Sequence, residues 1–257
     1  MTQSNPTQPA IQPTESPSQL HAILHDGLLV HIQALLEIVV IATFVATFIV
    51  QPFRIPSASM RPTLRIGDFL LGDKQCFSPS GLLDHILPPT AVHRGDLIVF
   101  HYPIDPSRYL VKRVIGLPGD HLRLLDGRVY LNGNPLAEPY AVYAPAAPDT
   151  FRDDFPSLRA TDPNVDPDWW AQLRRTVTDG QLTVPANHYF VMGDNRNDSE
   201  DSRYWGFVPR DAIVARPFIV YFSIANPPAI YGSRKPSVFT RLRSNLFAEI
   251  HNIRILR

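Results

Sequence analysis

Lysine is nearly missing from this chain of 257 residues: there are three, Lys74, Lys112 and Lys235. It is ordinarily among the commonest residues, so a lysine inside the apolar run Tyr109-Leu110-Val111-Lys112-Arg113-Val114-Ile115 asks for a reason. Cysteine is scarcer still. Cys76 stands alone, which excludes an intramolecular disulfide and argues against a cysteine-based zinc site. The nine histidines form no HExxH, and neither GxxxxGK[ST] nor GxGxxG occurs. Metal, nucleotide and dinucleotide chemistries therefore lack their usual signatures, and neither a metal nor another cofactor is expected. Charge of one sign is absent too: 24 basic residues balance 24 acidic ones, leaving no overall electrostatic case for nucleic acid as a partner.

No lysine or arginine precedes Arg54. Residues 1–27 are rich in Ser, Thr, Gln and Pro, a composition that cannot bury enough surface to order itself, and read as a disordered tail. Residues 28–50 are predominantly apolar, with no charge from Ile38 to Val50. At ~1.5 Å per helical residue, some twenty residues cross a ~30 Å hydrocarbon core, so this segment is expected to be a transmembrane helix. A cleaved signal peptide would begin earlier, behind a basic stretch, and end at small residues rather than at Gln51-Pro52-Phe53-Arg54. Glu37 and His31 leave a buried core helix as the alternative. Arg54, Arg61 and Arg65 follow the span, so a positive-inside count would put the large domain in the cytoplasm, although that rule is weak before a long domain.

Beyond Arg54 short apolar runs alternate with Gly, Pro, Asn and Asp, at Asp68–Leu71, Asp96–Tyr102, Tyr109–Ile115, His121–Leu131, His188–Met192 and Ala212–Ile224. Asp126-Gly127 between two apolar runs predicts a hairpin. The expected fold is mainly β, an antiparallel body over 51–133 and 188–232. Residues 134–187 shift toward Pro, Asp and Ala and read as an inserted region with one short helix at Asp168–Arg175. Its paired Trp169 and Trp170 fit either packing or a contact with membrane or substrate. Residues 233–257 are basic, with Phe239, Leu242, Leu246, Ile250 and Ile253 at helical spacing, and read as an amphipathic tail that packs on the domain or lies on a membrane.

Two segments carry candidate chemistry: Pro56-Ser57-Ala58-Ser59-Met60-Arg61-Pro62-Thr63-Leu64, and the run around Lys112. A serine hydroxyl is a weak nucleophile until a base takes its proton, and a lysine can do so only when neutral. Desolvation by Leu110, Val111, Val114 and Ile115 would lower the amine from its usual ~10.4. Arg113, adjacent on a strand, would point to the opposite face.

Residues 51–64 (QPFRIPSASMRPTL) resemble the serine box of type I signal peptidases, also called leader peptidases, directly after their membrane anchor. Residues 94–100 (RGDLIVF), 109–120 (YLVKRVIGLPGD) and 193–209 (GDNRNDSEDSRYWGFVP) resemble the three boxes that follow, in family order and spacing. The resemblance implies a Ser/Lys serine endopeptidase with Ser59 as nucleophile and Lys112 as general base. It further implies an oxyanion hole from Ser57 and the Ser59 N–H, Ser199 orienting the lysine, and support from Arg113, Asp194, Asp201 and Arg203. Phe53, Ile55, Pro56, Met60, Leu64, Val99, Leu110 and Val111 align with the positions lining shallow apolar substrate pockets. The implied partners are preproteins with signal peptides, cut after small residues such as Ala-x-Ala, and membrane lipid. The implied setting is a single-pass protein of the cytoplasmic membrane with its catalytic domain outside. Asn197-Asp198 stands in swapped order against the usual motif, and Ala58 replaces a common glycine. Two competitors share features with this reading. A self-cleaving repressor has the same dyad but needs a DNA-binding domain where this chain has its apolar span. An inactive, membrane-tethered paralogue that binds signal sequences would not need Ser57, Ser59, Lys112 and Ser199 together.

Overall fold

The computed structural model describes residues 17–74, 91–158, 162–224 and 253–256; within its first helix the side chains of 17–28, 46 and 48 lie outside the description. The chain divides into two units, residues 1–47 and 48–257.

The first unit holds helix α1, Pro17–Phe48, up to but not including its last residue. It begins inside the stretch expected to be without order, at a proline whose fixed φ suits a first helical turn. From Leu29 to Val45 every side chain is exposed, most of them apolar, and the Glu37 carboxylate accepts a bond of 3.0 Å from Gln33 one turn earlier. Among the described residues no helix is long and apolar enough to cross a membrane.

The second unit is the β body. Strands β1 (Val50–Arg54), β2 (Asp68–Asp73), β3 (Leu97–His101), β4 (Tyr109–Gly116), β5 (His121–Leu125), β6 (Arg128–Leu131) and β7 (Asn134–Pro135) come first. Two short helices follow, α2 (Thr150–Asp153) and α3 (Pro167–Thr176). Then come β8 (Val177–Thr178), β9 (Gln181–Thr183), β10 (His188–Met192), helix α4 (Ser202–Trp205), β11 (Val208–Pro209), β12 (Ile213–Ser223) and β13 (Arg254–Ile255).

All strand pairings are antiparallel and build two sheets, ordered β1-β2-β12-β3-β4-β10-β11, with β13 also on β12, and β7-β6-β5-β9-β8. The Asp126-Gly127 turn joins β5 to β6 with both residues at positive φ, 49° and 74°, the backbone a two-residue hairpin requires.

Region 134–187 is not a separate body. Its strands β7, β8 and β9 complete the second sheet, and Phe151, Phe155, Trp169, Leu173, Leu182 and Val184 share one core with Leu122, Leu124 and Phe190. The tryptophans are resolved in favour of packing. Trp169 is buried, donates from its indole to the Arg203 carbonyl at 3.0 Å, and stacks edge-on against Phe207. Gly206 lies so close that a Cβ there would come within 2.7 Å of the Trp169 ring.

Most of the expected C-terminal tail lies outside the described residues. Its end differs from the expected helix: Arg254 and Ile255 form a strand along β12, whose backbone partners outweigh a helical apolar spacing.

Candidate active site

Ser59 sits in the turn-rich connection between β1 and β2, the loop that brings 55–67 back into the sheet. The loop is pinned at its base by Ile55 N–H to Asp68 O and Gly67 N–H to Ile55 O, both 2.9 Å. Met60 and Leu64 project into a small core with Ile55, Leu70, Leu97 and Val220, which leaves Ser59 at the surface of that core, 9% exposed. The Ser57 hydroxyl is 3.3 Å from that of Ser59. Among the described residues the Ser59 backbone N–H makes no hydrogen bond, so it can meet an acceptor from outside.

Lys112 comes from the middle of β4, where alternate side chains face opposite sides. It is 3% exposed, and its amine donates to Ser199 Oγ at 2.9 Å. Ser199 in turn gives its own proton to Asp201 Oδ2 at 2.9 Å, so its lone pair is what the amine meets. Burial pulls Lys112 down to about 8, opposed by the Asp201 charge and assisted by the Arg203 guanidinium. Burial alone would raise the Asp201 carboxyl, but Arg203 and the Gly193 N–H hold it below the usual carboxylate range. The Arg203 bonds are 2.8 and 2.9 Å and that from Gly193 is 3.1 Å. Asp201 is thus largely compensated by Arg203, and its charge offsets only part of the effect of burial on Lys112.

A cavity of about 430 Å³ contains Ser57, Ser59, Leu110, Lys112 and Ser199, with Tyr102 and Trp205 among its other walls. No hydrogen bond links Ser59 Oγ to the Lys112 amine; such contacts commonly tighten only around bound substrate. The last box reaches the serine loop through the Asn195 N–H, which donates to Ser59 O at 3.0 Å. Gly193 permits this approach. A Cβ there would collide with Ser199 Oγ and lie 2.5 Å from the Ser59 carbonyl oxygen.

Arg113 faces away from the cavity, as the strand alternation predicts. Its guanidinium binds Asp194 through two bonds of 2.7 Å, donates to Gly95 O at 2.7 Å and stacks 4.0 Å from the centre of the Tyr140 ring.

The eight expected pocket residues divide. Leu110 lines the cavity, Pro56 is exposed, and Phe53 and Val111 are half-buried against the small core. Ile55, Met60, Leu64 and Val99 are buried, so they support the serine loop and sheet from the interior and do not form an open wall.

Sequence reasoning missed the strap formed by residues 138–144. Glu138 pairs with Arg196 through bonds of 2.5 and 2.7 Å, and Arg196 also donates to Gly193 O at 3.0 Å. Val142 bridges to Asn195, with bonds of 2.8 Å from its N–H to Asp194 O and from the Arg196 N–H to its own carbonyl. The one available signal is Glu138-Pro139-Tyr140, the only acidic residue in the strap beside one of its two tyrosines.

The model of the family "Signal peptidase, peptidase S26" matches residues 28–222, most of the chain and all of this constellation. This chain belongs to that family. It is 38% identical over 197 residues to the signal peptidase I of Pseudomonas fluorescens, covering 70% of this chain and 68% of the relative. It is 36% identical over 225 residues to that of Pseudomonas aeruginosa (82% and 78%) and 33% identical over 239 residues to that of Leptolyngbya laminosa (88% and 96%). A crystal structure of a signal peptidase I from Enterococcus faecalis shares 32% identity, spanning 49% of this chain and 96% of its own, with a TM-score of 0.35.

Proposed function

We propose that this peptidase-family chain is a membrane-bound serine endopeptidase that removes signal peptides from exported preproteins, cutting after small residues at Ala-x-Ala sites. One observation carries the reading: a buried amine at Lys112, lowered to about 8, lines the same cavity as the Ser59 hydroxyl. An ordinary lysine near ~10.4 would be almost wholly protonated at neutral pH, whereas one near 8 is neutral in a useful fraction of molecules.

In this reading the neutral Lys112 amine takes the Ser59 proton as Oγ attacks the scissile carbonyl carbon. The Ser59 N–H and the Ser57 hydroxyl meet the developing oxyanion, and losing one such donor typically slows catalysis ~100- to 1,000-fold. The Lys112 ammonium then protonates the leaving nitrogen, the C–N bond breaks, and an acyl-Ser59 ester remains. Water, deprotonated by the again neutral Lys112, hydrolyses that ester. Ser199 holds the amine in line, Arg203 quenches the charge of Asp201, and the Arg113–Asp194 pair braces the loop behind. The substrate main chain pairs along strand edges near 53–57 and 109–111, with small side chains favoured by sterics.

The helical part of the expected span, residues 28–48, is the proposed single anchor in the cytoplasmic membrane, with the β body on its outer side; Val50 already belongs to β1. The exposed apolar surface from Leu29 to Val45 supports this, because a helix apolar all round is unsuited to water.

The test is detergent-solubilised cleavage of a preprotein carrying one Ala-x-Ala site, comparing wild type with Lys112→Ala and mapping the cut by mass spectrometry. A cut after the second alanine that vanishes in the variant is expected. A wild type that does not cut, or a variant that still does, overturns the reading.

A further inference from the structure

The loop that carries Ser59 is fastened by a residue outside the family match. Thr63 is the hub: its hydroxyl donates to Asp194 Oδ2 at 2.5 Å, and its carbonyl accepts from Arg254 Nη1 at 3.0 Å. The other arm of the Arg254 fork, Nη2, meets the Asp68 carboxylate. Asp68 is fully buried and closes the same loop, accepting from Ser223 Oγ at 2.5 Å and from the Arg65 backbone N–H at 2.8 Å. A buried carboxylate requires a counter-charge, and among the described residues Arg254 is the cation paired with it.

Strand β13 brings Arg254 to this point. Ile255 lies opposite Ile219 and Arg254 opposite Val220, and the Leu256 N–H donates to Phe218 O at 2.9 Å. The Leu256 side chain packs on the small core that holds Met60 and Leu64. The strand thus touches the serine loop twice, through an apolar anchor beneath it and a charged fork at its return.

We propose that residues 253–256 are a latch that positions the nucleophile, with Arg254 as a positioning residue acting on Ser59 through Thr63 and Asp68. The inference rests on the peptidase reading above. Through Thr63 the latch also joins the Asp194–Arg113 pair, so the serine loop and the β4 strand that carries Lys112 are held by one set of bonds. Loss of the fork would leave Asp68 without its partner and free the loop. A displacement of ~1 Å caused by a change far from the chemistry can slow catalysis on the order of 100-fold. Neither strand edge assigned to the substrate, near 53–57 or 109–111, bonds to Arg254, so substrate affinity should be spared.

Full-length Arg254→Ala and Arg254→Lys are compared with wild type on an Ala-x-Ala peptide, and active sites are counted by titration with an acylating serine reagent. In Arg254→Ala, kcat per titrated site is expected to fall about 10- to 100-fold while KM changes less than about twofold. Arg254→Lys, which keeps the charge without the planar fork, should recover part of the loss. If activity falls only in step with the number of titrated sites, Arg254 merely supports folding and the proposal is overturned; an unchanged kcat overturns it equally. Wild type and Ser59→Ala are run alongside. Should wild type fail to cleave, the peptidase reading itself falls, whereas wild-type cleavage with both Arg254 variants at full kcat removes only the latch.

Discussion

Lys112 and Arg113 are neighbours on one strand, both buried, and their charges meet opposite surroundings. Arg113 has two carboxylate oxygens, a carbonyl and an aromatic face around its guanidinium, so its charge is compensated as it leaves water. Lys112, on the other face of β4, touches one hydroxyl whose own proton already goes to Asp201, and Asp201 is occupied by Arg203. Its amine loses water without gaining a counter-ion in contact, and burial drives it toward neutrality. The alternation of a pleated strand thus places a bracing cation and a chemically usable amine one residue apart. Burial alone does not decide what a basic side chain does; the partners waiting at its buried position do.

The sharpest way to break this comparison is to make position 112 resemble position 113. A guanidinium stays charged at any accessible pH, so Lys112→Arg should lose at least about a thousandfold in kcat, measured on a peptide with an Ala-x-Ala site. Retained activity would mean that a neutral amine at this position is not the base. The reverse operation tests the structural side. Arg113→Ala leaves Asp194 buried without its bidentate partner and strips the cation from Tyr140, and should destabilise the β body by about 3–5 kcal/mol. Urea unfolding monitored by tryptophan fluorescence reads the change; a value under about 1 kcal/mol would rank the pair with exposed ones.

What could be read in the sequence follows the range of the forces involved. The hairpin at Asp126-Gly127 was legible because two residues suffice to set its turn, and the boundaries of β10 were legible because turn residues flank a short apolar run. Lys112 and Ser199 are 87 residues apart, and what implies their meeting in the sequence is the resemblance to the family's boxes, not any local pattern. Glu138 with Arg196, 58 residues apart, and Arg254 with Asp68, 186 apart, left no such trace. A charge that will be buried against a distant partner looks, along the chain, like one that faces solvent. Met60 and Leu64, which align with pocket-lining positions of the family, are buried in the small core beneath Ser59, and their apolar character alone does not tell a pocket wall from a core position. The limit of range also explains residues 254–255, at the end of the expected amphipathic tail, which pair as a strand with the backbone of β12.

The smallest expected effect isolates the cost of burying the amine. In the folded protein Lys112 titrates near 8, against 10.5 for an unhindered lysine. Below 8 both folded and unfolded chains carry the proton, and the folded one bears the full penalty of a buried ammonium. Between the two values the unfolded chain binds more protons, so stability rises with pH; above 10.5 both are neutral and the penalty is gone. At about 1.4 kcal/mol per pH unit the whole rise is on the order of 3 kcal/mol. Lys112→Met removes the amine while keeping much of its volume, so the variant should exceed wild type most below pH 8 and the two curves should converge toward 10.5. Other titrating groups, such as the half-buried Tyr140 and buried Tyr204 phenols, contribute to both curves and cancel in the difference. The kcat/KM of the wild type should climb over the same lower edge, near 8, because that parameter reports the free enzyme. A stability difference independent of pH, with an activity limb at the ordinary lysine value, would show that Lys112 holds its proton as firmly as any exposed lysine, and the contrast with Arg113 would collapse.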